Sequence, residues 1–249
     1  MTPPPFPWPG TRPAAVSLTY DDGPENNLDL AIPDLEAAGF RGTFYVTAGY
    51  DEVQRRAADW RRAFEAGHEI GNHTWGHPCR AELYGPETPA WIRYKLEDYT
   101  EQDIRDEIDR AADWLDAHVG PDPDRTFAYP CAHTTIGRPP DEAAYRRAVA
   151  SRHRAARGWT GSSGVNDPWR VDLLHVDSLG YRLNTLERLR RALAEALDTG
   201  GWLCVAFHGI DGPPHPTDRA VHRQFLVDLA ESGCYVAPVR EIVRPIVDK

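Results

Sequence analysis

A chain of 249 residues that is 41% hydrophobic and 27% charged can bury one sizeable core and has the composition of an ordinary globular domain. No run approaches eighteen consecutive apolar residues, so no membrane span is expected. The formal net charge of −10, with lysine only at Lys95 and Lys249, argues against nucleic acid or an anionic membrane as partner, because phosphate binding needs clustered cations.

Residues 1–13 are Pro-rich and predict an extended lead-in over the surface of a single domain covering 14–249. The start, M-T-P-P-P-F-P-W-P-G, has neither a basic n-region nor an apolar h-region, so the chain reads as cytoplasmic; a chain stripped of its leader would read the same. Strands and helices then alternate. Residues 14–19 predict a strand, 28–38 a helix stopped by Gly39, 42–47 a strand, 52–66 a helix stopped by Gly67, and 68–71 a short strand. Thr100 opens a strong helix to about 118, its T-E-Q-D start supplying an N-cap and early acids. A strand at 125–129, a helix at 141–151, a strand near 155, a helix at 185–197, a strand at 202–207 and a helix at 218–231 complete the series. The long connection 78–99 favours a lid or substrate loop. Alternation of this kind predicts an α/β fold with a parallel sheet, whose function gathers at the carboxyl ends of the strands.

The polar clusters fall at those ends: Asp21-Asp22, then His73 and His77, then Tyr129-Pro130-Cys131, then His208. No G-x-G-x-x-G or P-loop pattern follows any strand. Asp-Gly-Pro alone is a common turn signal, but the doubled aspartate of L-T-Y-D-D-G-P-E needs a reason, since adjacent carboxylates repel. In H-T-W-G-H two imidazoles four apart would share a face on a helical turn and reach one metal ion. Two imidazoles and one carboxylate leave positions open for water. On extended backbone successive side chains diverge, so one aspartate can ligate while the other serves as general base. The cysteines Cys79, Cys131, Cys204 and Cys234 show no C-x-x-C spacing, and buried reduced thiols are expected; a Cys79–Cys131 disulfide or a thiolate ligand is the lesser alternative.

Together these residues resemble a known family. T-Y-D-D-G-P looks like the T-F-D-D-G-P signature of the polysaccharide deacetylases, the NodB-homology carbohydrate esterases of family 4. H-T-W-G-H is similar to their H-[ST]-x-x-H, and L-C-V-A-F-H, ending at His208, to their last motif; the resemblance spans roughly 14–245. It implies a distorted (β/α) barrel and metal-dependent hydrolysis of an acetyl group, usually N-acetyl on a sugar. By position it implies Asp21 as catalytic base, Asp22, His73 and His77 as ligands of one divalent metal, and His208 as general acid. Zinc is the expected metal, with cobalt or nickel as alternatives.

Two motifs depart from the family. Its R-x-P-[YF]-G reads Ala128-Tyr129-Pro130-Cys131-Ala132, and its D-x-x-D-W survives as Asp177-Ser178-Leu179-Gly180-Tyr181. Arg157, in A-A-R-G-W, is the candidate to replace the missing arginine, against the alternative of a plain surface residue. The Cys131 N–H is the candidate oxyanion donor, and Asp177 a candidate to keep the His208 imidazole charged. Trp75, Trp91, Tyr129 and Trp159 can stack on a sugar, although such aromatics also serve as core or rim packing. The expected substrate is a small or neutral N-acetylated carbohydrate or related amide. An O-acetyl ester on the same site, and a carbohydrate-binding pseudoenzyme, are the rival readings.

Overall fold

The computed structural model describes residues 4–85, 87–180 and 184–248. The first strand runs on past its apolar stretch: β1 spans Ala15–Asp22 and carries both aspartates at its carboxyl end. After it come α1 (Ile32–Ala37), β2 (Thr43–Val46), α2 (Asp51–Arg55), α3 (Ala57–Glu65) and β3 (Glu69–Asn72). Next are α4 (Glu101–His118), β4 (Phe127–Ala128), α5 (Glu142–Ala150), β5 (Ala156–Arg157) and β6 (Val165–Asn166). The chain closes with α6 (Leu186–Thr199), β7 (Trp202–Phe207), α7 (Arg219–Ser232), β8 (Tyr235–Val236) and α8 (Val239–Val247).

The strands lie in the order β5-β4-β3-β2-β1-β7-β6, with β8 also on β1, and pair in parallel except for β6 against β7. This is the α/β fold with a parallel sheet that the alternation predicts. Single parallel bridges, Arg157 to Val176 and Leu179 to Val205, link the two sides through the segment 176–179, but isolated bridges are not a ladder, and among the described residues the sheet is not a closed barrel.

Alternation along β1 sorts the side chains. Val16, Leu18 and Tyr20 join the larger core with Phe44, Val46, Leu35 and Phe225, beneath the helices. Ala15 packs with Trp202, Cys204, Val176 and α8, and Asp21 shares its parity. Phe6 and Trp8 are buried in that second cluster, and the Trp8 indole donates to Gly200 O at 2.9 Å. The lead-in runs over the surface as expected, with its other described residues exposed, and is pinned there by these two aromatics, which gain more by covering the sheet's end than by solvation.

Other expectations shift at boundaries. The helix foreseen at 52–66 breaks at Arg56, with φ −101° and ψ 19°, into α2 and α3. The helix from Thr100 starts as read: its hydroxyl accepts from Asp103 N, and Asp103 reciprocates. β6, β8 and α8 were not foreseen; the two strands have two residues each, too short for a periodic signal.

Candidate active site

Asp21 is buried at the carboxyl end of β1, and Arg157 Nη2 donates to its Oδ2. Their side chains are 7% and 5% exposed, so this is an interior ion pair. Strand register explains how Arg157 arrives there: it pairs directly with Ala128 on the neighbouring strand. The cation absent at position 128 is thus supplied one strand over. Arg157 Nη1 also donates to Ser178 Oγ at 3.2 Å, which donates onward to Gly158 O at 2.7 Å, and the guanidinium carbon lies 5.4 Å from the Tyr45 ring centre. Burial pushes the guanidinium pKa down, but the adjacent Asp21 charge outweighs it and the net shift is upward.

Asp22 diverges from Asp21 by a sharper device than strand alternation, for its φ is +71°. Its Oδ1 lies 3.5 Å from His73 Nε2 and 3.2 Å from His77 Nε2. The two histidines do not share a helical turn. They meet across a loop in which Thr74 (φ +66°) and His77 (φ +56°) are left-handed, with ring centres 4.9 Å apart. Gly49 makes that loop possible: its N–H donates to Trp75 O at 2.9 Å, and a Cβ there would lie 2.3 Å from that oxygen. Five of the eight non-glycine residues with positive φ among those described are Asp22, Thr74, His77, Cys131 and Ala132. Such strain gathers where surrounding structure over-determines a functional geometry.

The donor set fits a metal ion. His73 Nδ1 lies 2.8 Å from Ala128 O, which can only accept, so Nδ1 carries a proton and Nε2 is the nitrogen left to offer a lone pair towards Asp22. A lone pair facing a carboxylate is repulsive unless a cation or proton lies between, and Asp22 Oδ1 is buried without a hydrogen-bond partner among the described residues. Asp22, His73 and His77 each offer one ligand atom, all within 4.8 Å of one another. Burial raises the Asp22 pKa, but the electrostatic pull of the neighbouring imidazoles, His77 first, outweighs it and holds the carboxyl well below its usual range.

His208 follows β7, its Nε2 3.9 Å from Asp22 Oδ2 and 4.0 Å from Asp21 Oδ2. Burial lowers its pKa, while the two carboxylates oppose that fall. Asp177 does not serve as its partner. The Asp177 carboxylate accepts from Thr160 N at 2.6 Å and from Ser162 Oγ. On the extended segment 176–179 neighbouring side chains diverge, and Ser178 is the one that reaches Arg157. Tyr181, the end of that motif, lies outside the described residues.

The turn after β4 carries Pro130, buried, and Cys131 and Ala132, both at φ +57°. Cys131 is bonded to Cys79, which corrects the expectation of reduced thiols there; Cys204 and Cys234 are free and buried. Spacing could not reveal a pair 52 residues apart that only the insertion's return brings together. That insertion is a folded unit with its own small core of Cys79, Ala81 and Ile92.

The aromatic candidates separate. Tyr129 is core: it is 1% exposed, packs on Phe127 and Tyr145, and donates to Leu174 O. The Trp75 ring is covered by the Arg110 guanidinium at 3.8 Å. Trp159 is half-exposed against Gly180, and Trp91 is 52% exposed with its ring centre 6.4 Å from that of His77. Sequence reasoning missed Ser178 and Tyr45; the alternation around Asp177 was the available signal for the first.

Fold and site together define an α/β protein with a hydrolase-type arrangement: a carboxylate held by a buried cation beside a His-His-Asp donor set. The polysaccharide deacetylase family model matches residues 9–137, just over half of the 249. The chain belongs to that family. It is 33% identical over 64 residues to a Listeria monocytogenes peptidoglycan-N-acetylglucosamine deacetylase, covering 25% of this chain and 13% of that protein. It is 33% identical over 94 residues to a Colletotrichum lindemuthianum chitin deacetylase, covering 34% of this chain and 35% of that one. The chain thus spans well under two thirds of these relatives. A solved structure from Mycobacterium smegmatis, a candidate polysaccharide deacetylase, superposes with TM-score 0.70 at 16% identity, covering 100% of this chain and 95% of that one.

Proposed function

We propose that this protein is a metal-dependent hydrolase that removes the acetyl group from an N-acetylated sugar. The observation that carries the reading is the single cluster in which the Asp21–Arg157 pair, the Asp22, His73 and His77 donors and His208 all meet. Asp22 and the Nε2 atoms of His73 and His77 would hold one divalent cation, with zinc favoured by the donor types. Such an ion, when bound, supplies Lewis-acid charge that acidifies water and polarises an acyl oxygen.

The chain's own groups do the rest. Asp21 Oδ1 has no hydrogen-bond partner among the described residues, while Oδ2 is held by Arg157, so one oxygen is anchored and the other is available to take a water's proton. The left-handed turn at Cys131 presents a backbone N–H as donor to the developing oxyanion. His208 delivers a proton to the leaving amine, its protonated form favoured by the two aspartates and opposed by burial. The net charge of −10 favours small or neutral substrates over anionic polymers. Acetate release from N-acetylglucosamine, its oligomers and O-acetylated sugars, with and without chelator, tests the reading. Loss on chelation and recovery with zinc are expected on the N-acetyl substrates. Release that ignores the chelator, or binding of these sugars without release, refutes it.

A further inference from the structure

We propose that His77, Cys79 and Cys131 form a second metal site, present only when the Cys79–Cys131 disulfide is reduced, that takes a borderline dication such as zinc. The proposal goes beyond the deacetylase reading; it shares with it the His77 ring and the residue Cys131, whose backbone N–H serves there and whose sulfur serves here.

The His77 imidazole lies between two sets of groups. Its Nε2 faces Asp22 at 3.2 Å, while its Nδ1 lies 3.6 Å from Cys79 Sγ. The ligand atoms of His77, Cys79 and Cys131 all fall within 4.8 Å of one another. In tetrahedral zinc, bonds of about 2.0–2.1 Å to nitrogen and about 2.3 Å to sulfur place the two atoms about 3.6 Å apart. The His77–Cys79 separation already has that value. The two sulfurs need about 3.8 Å between them, which cleaving their bond permits. Cys79 is fully buried and the other two are partly exposed, so the site has a closed back and a solvent side.

Placement favours the same reading. Cys79 is held by backbone bonds to Tyr94 and Leu96, and Cys131 by the turn after β4, so neither sulfur depends on the disulfide alone for its position. A dithiol reductant gives two electrons and two protons to the disulfide and closes its own, leaving two protein thiols. Metal binding then displaces both thiol protons and, when Nε2 already holds a cation, the His77 Nδ1 proton, so that the ring bridges the two ions as an imidazolate. The redox state thereby sets whether His77 serves one cation or two.

Cobalt titration of the metal-free full chain tests this, with the disulfide intact and after reduction by a trialkylphosphine. The phosphine takes the oxygen of one water while the hydrogens go to the sulfurs, so no foreign thiol is added. The oxidised protein should bind one equivalent with no sulfur-to-cobalt charge-transfer band. The reduced protein should bind a second and show that band. Cys79→Ser/Cys131→Ser should bind one under both conditions. Asp22→Ala, reduced, should lose the first equivalent and keep the band, so the two readings fail separately. A reduced protein that keeps its far-ultraviolet dichroism but shows one equivalent and no band overturns the proposal, as does one that unfolds on reduction.

Discussion

Replacing Arg157 with alanine removes the only side-chain hydrogen bond that reaches Asp21 among the described residues. Both side chains are under a tenth exposed, so the variant leaves a buried carboxylate unpaired. Breaking such a pair from one side costs about 3–5 kcal/mol. A chain of this size loses about 2–4 °C of Tm per kcal/mol, so a fall of roughly 6–20 °C is expected. Activity falls further, because a base displaced by about 1 Å can lose about 100-fold in kcat. Arg157→Lys should recover charge but not the fork shared between Asp21 and Ser178, and so recover kcat poorly. The Asp21→Asn/Arg157→Ala double variant should melt above Arg157→Ala, since no unpaired charge remains. Thermal melts, acetate release and metal content measure all three. Metal content should stay unchanged, because Asp22, His73 and His77 are untouched. An Arg157→Ala variant with wild-type Tm and kcat would refute the reasoning.

Asp21→Asn should keep its metal and lose about 10²–10⁴ in kcat, whereas Asp22→Asn should lose the metal; the opposite pattern reverses the two roles. Asp34 gives a pH-dependent prediction: burial raises its pKa, but Arg219 and Arg223 outweigh this and hold it at about 2. Its folded value lies below its unfolded one, so its contribution is present above about pH 4 and lost as pH falls towards 2. Asp34→Asn should therefore unfold at pH 6 more easily than the parent but lose less on acidification over that window, followed by tryptophan fluorescence. Thr100→Ala removes the hydroxyl that caps α4 and should cost about 1 kcal/mol, or roughly 2–4 °C, by calorimetry.

The sequence by itself determined the alternation of strands and helices, since parallel strands buried on both faces read as short apolar runs. β7 emerged with its own bounds, Trp202–Phe207, for that reason. It also singled out Asp22, His73 and His77 as candidate donors, because their types are written in contiguous motifs, and the structure brings their ligand atoms within 4.8 Å of one another. Tertiary structure decided what those motifs could not express. Arg157 reaches Asp21 only because β4 and β5 pair Ala128 with Arg157, a register set between strands. Ser178 rather than Asp177 faces that arginine because the segment 176–179 bridges the sheet's two sides with one particular phase. The histidines meet through left-handed backbone rather than a helical turn, and Cys79 finds Cys131 only when the insertion folds back. Apart from the histidine loop, whose left-handed backbone is local, each of these is a long-range pairing, fixed by packing between segments distant in the chain, where local periodicity carries no information.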